Sequence, residues 1–279
     1  MRRFALPWFV ATSLFATLIL AGCTGKPAFG PAPEVRGPAP ALIPAGTTPP
    51  STTPPSPSST PPPAAPEESA TGSGLQPVYF LRGIGLPVDT RDEAAKGRKV
   101  VVLSFDDGPR RETTPKVLDI LKRYDVKAMF FVTGYGVRDN ADLLMRMARE
   151  GHAIGTHTVT HANLRGLNRE QMLREITPVN EEVEKVTRER VKYFRPPFGA
   201  YDQAVLEVLK ELNLQIITWT TGSLDWQTKD PATVTRNVLD HVYPGAVVLL
   251  HDTHEHTVEA LPGIIEGLRA KGYAFVILR

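Results

Sequence analysis

Seven short runs of large apolar and β-branched residues, separated by segments with helical periodicity, constrain this chain more than any other feature of its sequence. They fall at 99–105, 128–132, 152–156, 193–195, 215–220, 246–250 and 274–278. Positions 100–103 and 246–250 are apolar throughout, so such strands are buried on both faces, as in a parallel sheet covered by helices. Between the runs, 114–124 carries Pro115 in its first turn and 141–150 closes on Gly151. The segment 168–188 opens with Asn168 and Gln171 at capping-box spacing and holds Pro178, which predicts a kink. Segments 202–212, 230–242 and 257–270 complete the helical set. This alternation predicts an α/β fold, a distorted (β/α) barrel of about seven strands. The pair Gly83 and Gly85 lacks a third glycine and precedes the first clear strand, so no dinucleotide fingerprint is present.

The barrel is expected to occupy 75–279. Fifteen of the 26 prolines lie between Pro27 and Pro66, and the stretch 23–74, rich in Pro, Ser, Thr and Ala, is expected to be a disordered tether because it buries too little to offset its ordering entropy. Positions 1–22 read as an export signal, with Arg2 and Arg3 ahead of an apolar run. The exit Leu20-Ala21-Gly22-Cys23 resembles the bacterial lipobox, which implies that Cys23 is lipidated and anchors an extracytoplasmic lipoprotein to a membrane. Cys23 is the one cysteine of the chain, so an intramolecular disulfide and a thiolate zinc cage are both excluded. A formal charge of +2 is too small for the broad basic surface that nucleic acid needs, and no protein partner is inferable.

In a β/α barrel functional side chains gather at the C-terminal ends of the strands, and the polar residues of this chain cluster there. The first strand runs into Asp106-Asp107-Gly108-Pro109. Neighbouring residues point in different directions, so one carboxylate can bind a metal while the other stays free as a base. The third strand runs into His157 and His161, four apart and able to converge on one ion. With Asp107 they offer two nitrogens and one oxygen and leave coordination positions open, which is a catalytic rather than a structural arrangement. Arg195-Pro196-Pro197-Phe198-Gly199, then Leu224-Asp225-Trp226, then His251-Asp252 follow the later strands, and His251 is placed as an acid.

These five motifs, in this order, resemble the polysaccharide deacetylase superfamily, carbohydrate esterase family 4 with its NodB homology domain. The resemblance spans 100–279. It implies a divalent ion, zinc in the first place with cobalt, nickel or manganese as alternatives, held by Asp107, His157 and His161. It further implies Asp106 as the base that takes a proton from the attacking water and His251 as the acid that protonates the leaving amine. Arg195 would orient Asp106 and Asp225 would orient His251, while Phe198, Trp226 and Leu249 would bind substrate. Two departures stand out: Gly222 occupies a place where the family usually has an acid, and position 198 is Phe where Tyr is commoner.

The function expected is metal-dependent removal of N-acetyl groups from an amino-sugar polymer, peptidoglycan first. An O-acetyl esterase of xylan type with the same machinery, or a tethered glycan binder with little turnover, is the alternative. A glycosidase is a poorer fit, because adjacent carboxylates rarely flank one bond at a separation of about 5 Å or more.

Overall fold

The computed structural model describes residues 78–278. The export signal, Cys23 and the tether expected over 1–74 lie outside the described residues. The elements are β1 (Tyr79–Leu81), β2 (Val88–Thr90), β3 (Val100–Asp106), α1 (Thr114–Arg123), β4 (Met129–Val132), α2 (Gly134–Asp139), α3 (Ala141–Arg149), β5 (Ala153–Thr156), α4 (Arg169–Thr187), β6 (Tyr193–Phe194), α5 (Gln203–Glu211), β7 (Gln215–Ile216), β8 (Thr221–Gly222), α6 (Pro231–His241), β9 (Ala246–His251), α7 (Glu255–Ala270) and β10 (Ala274–Phe275). Among the described residues no helix is long and apolar enough to cross a membrane.

Strands β3 to β10 form one parallel sheet in the order β7-β6-β5-β4-β3-β9-β8, with β10 on the start of β3. The sequence predicts a single strand at 215–220, and the structure divides it for a geometric reason. Its beginning pairs with β6, and Ile217 N–H donates to the Phe194 carbonyl at 2.8 Å; its end crosses to β9, where Thr220 N–H donates to the Val247 carbonyl at 2.9 Å. One segment thus runs from one edge of the curled sheet to the other, across the unpaired side of the distorted barrel.

Alternation along β3 sorts its side chains into two cores. Val101, Leu103 and Phe105 face the helices, in a cluster with Val117, Leu121, Ile264 and Leu268. Val100 and Val102 face the barrel interior with Met129, Phe131, Tyr193, Ile217 and Val247. Each such side chain contributes about 1.5–3 kcal/mol when fully buried, which explains why strands of two to seven residues hold their register. By the same alternation Ser104 and Asp106 continue the inward row, so β3 carries a carboxylate into the barrel mouth.

The β1–β2 hairpin adds Tyr79, Leu81 and Val88 to the interior cluster, and Tyr79 bridges to Leu278, beyond β10. It thereby covers the end opposite the mouth. Neither this hairpin nor α2 is expected from the sequence: the paired strands are three residues each, and α2 is six residues long with two glycines. Those glycines are required by packing, since a Cβ at Gly136 would stand 2.4 Å from the Gly108 carbonyl oxygen. The capping box of α4 forms as expected, and the helix continues through Pro178 to Thr187.

Candidate active site

Asp106 and Asp107 diverge because the backbone turns sharply between them, with Asp107 at φ 75°. Left-handed backbone recurs at Thr158 and His161, at Phe198 and at Leu224. None of these is glycine, so each costs of order 1 kcal/mol that the surrounding contacts must offset. Such strain in four separate loops around one mouth marks a place where side-chain direction outweighs backbone comfort.

Asp107 Oδ1 lies 3.6 Å from His157 Nε2 and 3.5 Å from His161 Nε2, and it is buried with no hydrogen-bond partner. The His157 Nδ1–H donates to the Arg195 carbonyl at 2.6 Å, which leaves the Nε2 lone pair facing Asp107. Burial, against the pull of Asp107, holds the His157 imidazole at about 3, so it is neutral. Two atoms each about 2.1 Å from one ion and about 109° apart would stand about 3.4 Å from each other. The three donors therefore fit a divalent cation of the zinc type, and the orphaned oxygen supplies a reason for one.

The His157–His161 loop is clamped by Glu175 of α4, which sequence reasoning misses. Its carboxylate accepts from Val159 N–H at 3.1 Å, Thr160 N–H at 3.0 Å and the Thr160 hydroxyl at 3.0 Å.

Behind the ligands, Asp106 accepts from Arg195 Nη1 at 2.6 Å, and the same nitrogen donates to the Ser104 hydroxyl at 2.9 Å. Arg195 Nε donates to the Ile217 carbonyl at 3.1 Å and its guanidinium lies 4.0 Å over the Phe131 ring. Arg195 is 0% exposed. Burial raises the Asp106 carboxyl above the usual carboxylate range, opposed by the charges of Arg195 and His251. That combination leaves a carboxylate more basic than a solvated one.

Across the cleft, His251 ends β9 and its Nδ1–H donates to Asp225 Oδ1 at 2.8 Å. Asp225 Oδ2 accepts from the His251 N–H at 2.8 Å and from the Thr257 hydroxyl at 2.7 Å. Burial opposes it, but the hydrogen bonds to His251 and Thr257 and the His251 charge hold Asp225 below its ordinary value. Burial likewise pulls His251 down, yet the Asp225 carboxylate outweighs it and lifts the imidazole to about 9. Asp225, His251 and His254 also offer three potential ligand atoms within 4.8 Å of one another. Both Asp225 oxygens are already engaged, so this group reads as an oriented acid and not as a second ion site.

A cleft of about 460 Å³ connects the two groups, walled by Phe198, Trp219, Trp226 and Leu249. Every site residue expected from the sequence lines this cleft or hydrogen-bonds to a residue that does, except Cys23, which lies outside the described residues. Phe198 is 66% and Trp226 45% exposed, whereas Leu249 is buried in the floor. Trp219 is an addition. A Cβ at Gly199 would stand 2.9 Å from its ring, so that glycine, at φ 63°, makes room for Trp219. At Gly222 a Cβ would meet the Trp226 ring at an ordinary 3.5 Å; nothing steric demands glycine there.

A sequence profile described as polysaccharide deacetylase matches residues 93–217. A peptidoglycan-N-acetylglucosamine deacetylase of Bacillus cereus is 38% identical over 182 residues, covering 64% of this chain and 66% of that protein. The peptidoglycan-N-acetylmuramic acid deacetylase PdaA of Bacillus subtilis is 38% identical over 181 residues, 63% of this chain and 69% of it. This chain therefore spans about two thirds of the length of either relative. A solved structure of BA3943 from Bacillus anthracis, described as a pseudoenzyme of carbohydrate esterase family 4, superposes with a TM-score of 0.61 at 30% identity, covering 64% of this chain and 63% of that one.

Proposed function

This chain belongs to the polysaccharide deacetylase family, carbohydrate esterase family 4, and from that premise we propose that it removes N-acetyl groups from an amino-sugar polymer, with peptidoglycan as the first candidate. The observation that carries the proposal is the pairing of an unpartnered Asp107 oxygen 3.5 and 3.6 Å from two histidine nitrogens with a buried carboxylate on one side and a protonated imidazole on the other. Zinc or a similar divalent ion held by Asp107, His157 and His161 would supply Lewis acidity toward a water and an acetamide carbonyl.

The remaining steps belong to the chain's own residues. Asp106, fixed by Arg195, takes the proton of the attacking water. His251 presents its second ring nitrogen to the cleft because Asp225 occupies the first, and it gives a proton to the departing sugar amine. Without that proton an amine anion would have to leave, which is unfavourable near neutral pH. Trp226 and Leu249 would wall the acetyl methyl, with Phe198 and Trp219 lining the same cleft. The export signal and Cys23 complete the proposal: the enzyme acts outside the cytoplasm, tethered to a membrane by lipid. Peptidoglycan-directed relatives support the polymer assignment.

The test is acetate release from purified peptidoglycan and from an N-acetylglucosamine hexamer, using chelated and zinc-restored full-length protein. Zinc-dependent release is expected. A zinc-loaded protein that binds these polymers and releases no acetate would instead be a glycan binder without turnover; the family includes a member described as a pseudoenzyme.

A further inference from the structure

A second cleft, of about 690 Å³, opens beside the central one, and the two share Asp107 and His254 as a common ridge. Its character is the reverse of its neighbour's. Where the central cleft is walled by aromatic and aliphatic side chains, this one is lined by Arg110, Arg111, Glu112 and Asp139, with Tyr135 as its exposed aromatic.

Most of these charges are committed. Arg111 grips Asp142 with two hydrogen bonds of 2.6 and 2.7 Å, and Glu112 sets its charge against the same arginine. Asp139 pairs with Arg138 at 3.2 Å. Arg110 differs: its guanidinium makes one long hydrogen bond, 3.4 Å to the Thr253 carbonyl, and has no carboxylate partner among the described residues. Its backbone, by contrast, is fixed, since the Arg110 N–H donates to the Thr114 hydroxyl at 2.8 Å and that hydroxyl donates to the buried Asp252. An exposed cation on a fixed root, one ridge away from the acetamide position, is suited to read an anion on the same polymer. Tyr135, 48% exposed on the same cleft, carries the Arg138 guanidinium 5.5 Å over one side of its ring and offers its other side to the apolar face of a sugar ring.

We propose that this cleft receives the sugar next to the one that loses its acetyl group, and that Arg110 selects a carboxylate carried by that neighbour. The inference rests on the deacetylase reading above. A homopolymer of N-acetylglucosamine presents only hydroxyls and acetamides there, whereas a polymer alternating with an acid-bearing sugar presents an anion beside every glucosamine. The carboxylate can sit directly on the lactyl ether of muramic acid or at the end of an attached peptide, and the guanidinium chemistry is the same for both.

The experiment compares kcat/KM of the zinc-loaded full chain on three substrates: a neutral N-acetylglucosamine hexamer, a peptide-free alternating glycan with free lactyl carboxylates, and the same glycan bearing its peptides. A preference of about three- to tenfold for a carboxylated glycan is expected, shrinking as salt rises. Arg110→Gln should abolish that preference through KM, and Arg110→Lys should keep part of it, because lysine retains the charge without the fork. A preference confined to the peptide-bearing glycan would assign the carboxylate to the peptide. Equal losses on neutral and charged substrates in Arg110→Gln, or no preference in the unmodified chain, would overturn the proposal. Absence of turnover on all three would break the deacetylase reading instead. In that case calorimetric binding of the two glycans to Asp106→Asn, with and without Arg110→Gln, still decides the selectivity.

Discussion

Two histidines line the central cleft, His157 buried and His251 partly buried, and the same physical force acts on both with opposite results. Burial disfavours the charged imidazole at His157 and at His251 alike. His157 meets a backbone carbonyl at Nδ1 and stays neutral, with a value of about 3. His251 meets a carboxylate at Nδ1 and stays protonated to about 9. The largest difference is the partner at Nδ1, a neutral oxygen against an anionic one; Asp106 and Asp107 add to the pull on His251, while the charges of Arg195 and His161 push His157 down. A neutral ring offers a lone pair to an ion; a charged ring offers a proton to a leaving group. The division of labour in this site is set by what stands behind each ring.

The sharpest way to break that division is to remove one group from each role on the ion side. Asp107→Ala should lose both the ion and activity, by at least about 10³-fold, since three protein ligands leave none to spare. Asp106→Asn should keep the ion and lose about 10²–10⁴-fold in turnover, the worth of a general base. Metal content by plasma spectrometry beside acetate release distinguishes the two, and equal metal loss in both would show the carboxylates assigned the wrong way round. Arg195 extends the comparison to stability. Arg195→Met leaves Asp106 buried without its hydrogen-bonded cation and should cost about 3–5 kcal/mol, whereas the double variant Arg195→Met/Asp106→Asn should recover a large part of it. Denaturant midpoints of the three proteins measure this, and a double variant no more stable than the single one would rule out the buried charge as the cause.

The ion side was the more legible of the two walls from sequence. Asp106, Asp107, His157 and His161 stand at or follow the ends of their strands, and the barrel rule needs nothing more to bring them together; on the acid wall the same holds for His251 alone. Glu175, Trp219, Thr257 and Ser104 were not legible, because each acts across elements. Glu175 and Thr257 reach in from helices, in positions where a carboxylate or hydroxyl usually means a solvated face. Ser104 lies inside a run that reads as strand. Trp219 sits where the chain crosses from one sheet edge to the other, a path that hydrophobic periodicity does not encode. The left-handed turns at Asp107, Thr158, His161, Phe198 and Leu224 are hidden for a related reason: without glycine at those positions, nothing in the residue type announces them.

On the acid wall the comparison can be sharpened by changing only the partner. Asp225→Asn replaces the anionic oxygen behind His251 with a neutral one, making it resemble His157. The sign follows from the direction of the shift. With Asp225 present, His251 is charged below about 9, so acid catalysis is present at lower pH and is lost as pH rises through that value. Without the carboxylate, burial prevails and the imidazole loses its proton at lower pH. The alkaline limb of the kcat profile should therefore move to lower pH, and activity near neutrality should fall about 10²-fold. An alkaline limb that stays in place in Asp225→Asn would mean that another group carries the proton.

The smallest expected effect concerns Glu175, which touches neither ion nor substrate. Its carboxylate receives two backbone N–H groups and a hydroxyl from Val159 and Thr160, between the two histidine ligands and next to the left-handed Thr158. Removing it loosens a strained loop, which then keeps its backbone hydrogen bonds, Val159 N–H to the Glu175 carbonyl and Gly134 N–H to the Thr158 carbonyl, but loses the ones at Thr160. Glu175→Ala should weaken zinc binding about 10-fold or more, in the range seen when groups behind metal ligands are lost. Turnover at saturating zinc should stay near that of the unmodified chain, because Asp106 and His251 are untouched. Glu175→Gln retains one acceptor oxygen and should fall between the two. The contrast with Asp107→Ala is then one of degree along a single path: a ligand removed abolishes the site, while a clamp removed only makes the site harder to fill. Zinc titrations against a competing chelator read this directly, and an unchanged affinity in Glu175→Ala would mean that backbone hydrogen bonds hold the loop without the carboxylate, among them Val159 N–H to the Glu175 carbonyl at 2.8 Å and Gly134 N–H to the Thr158 carbonyl at 3.0 Å.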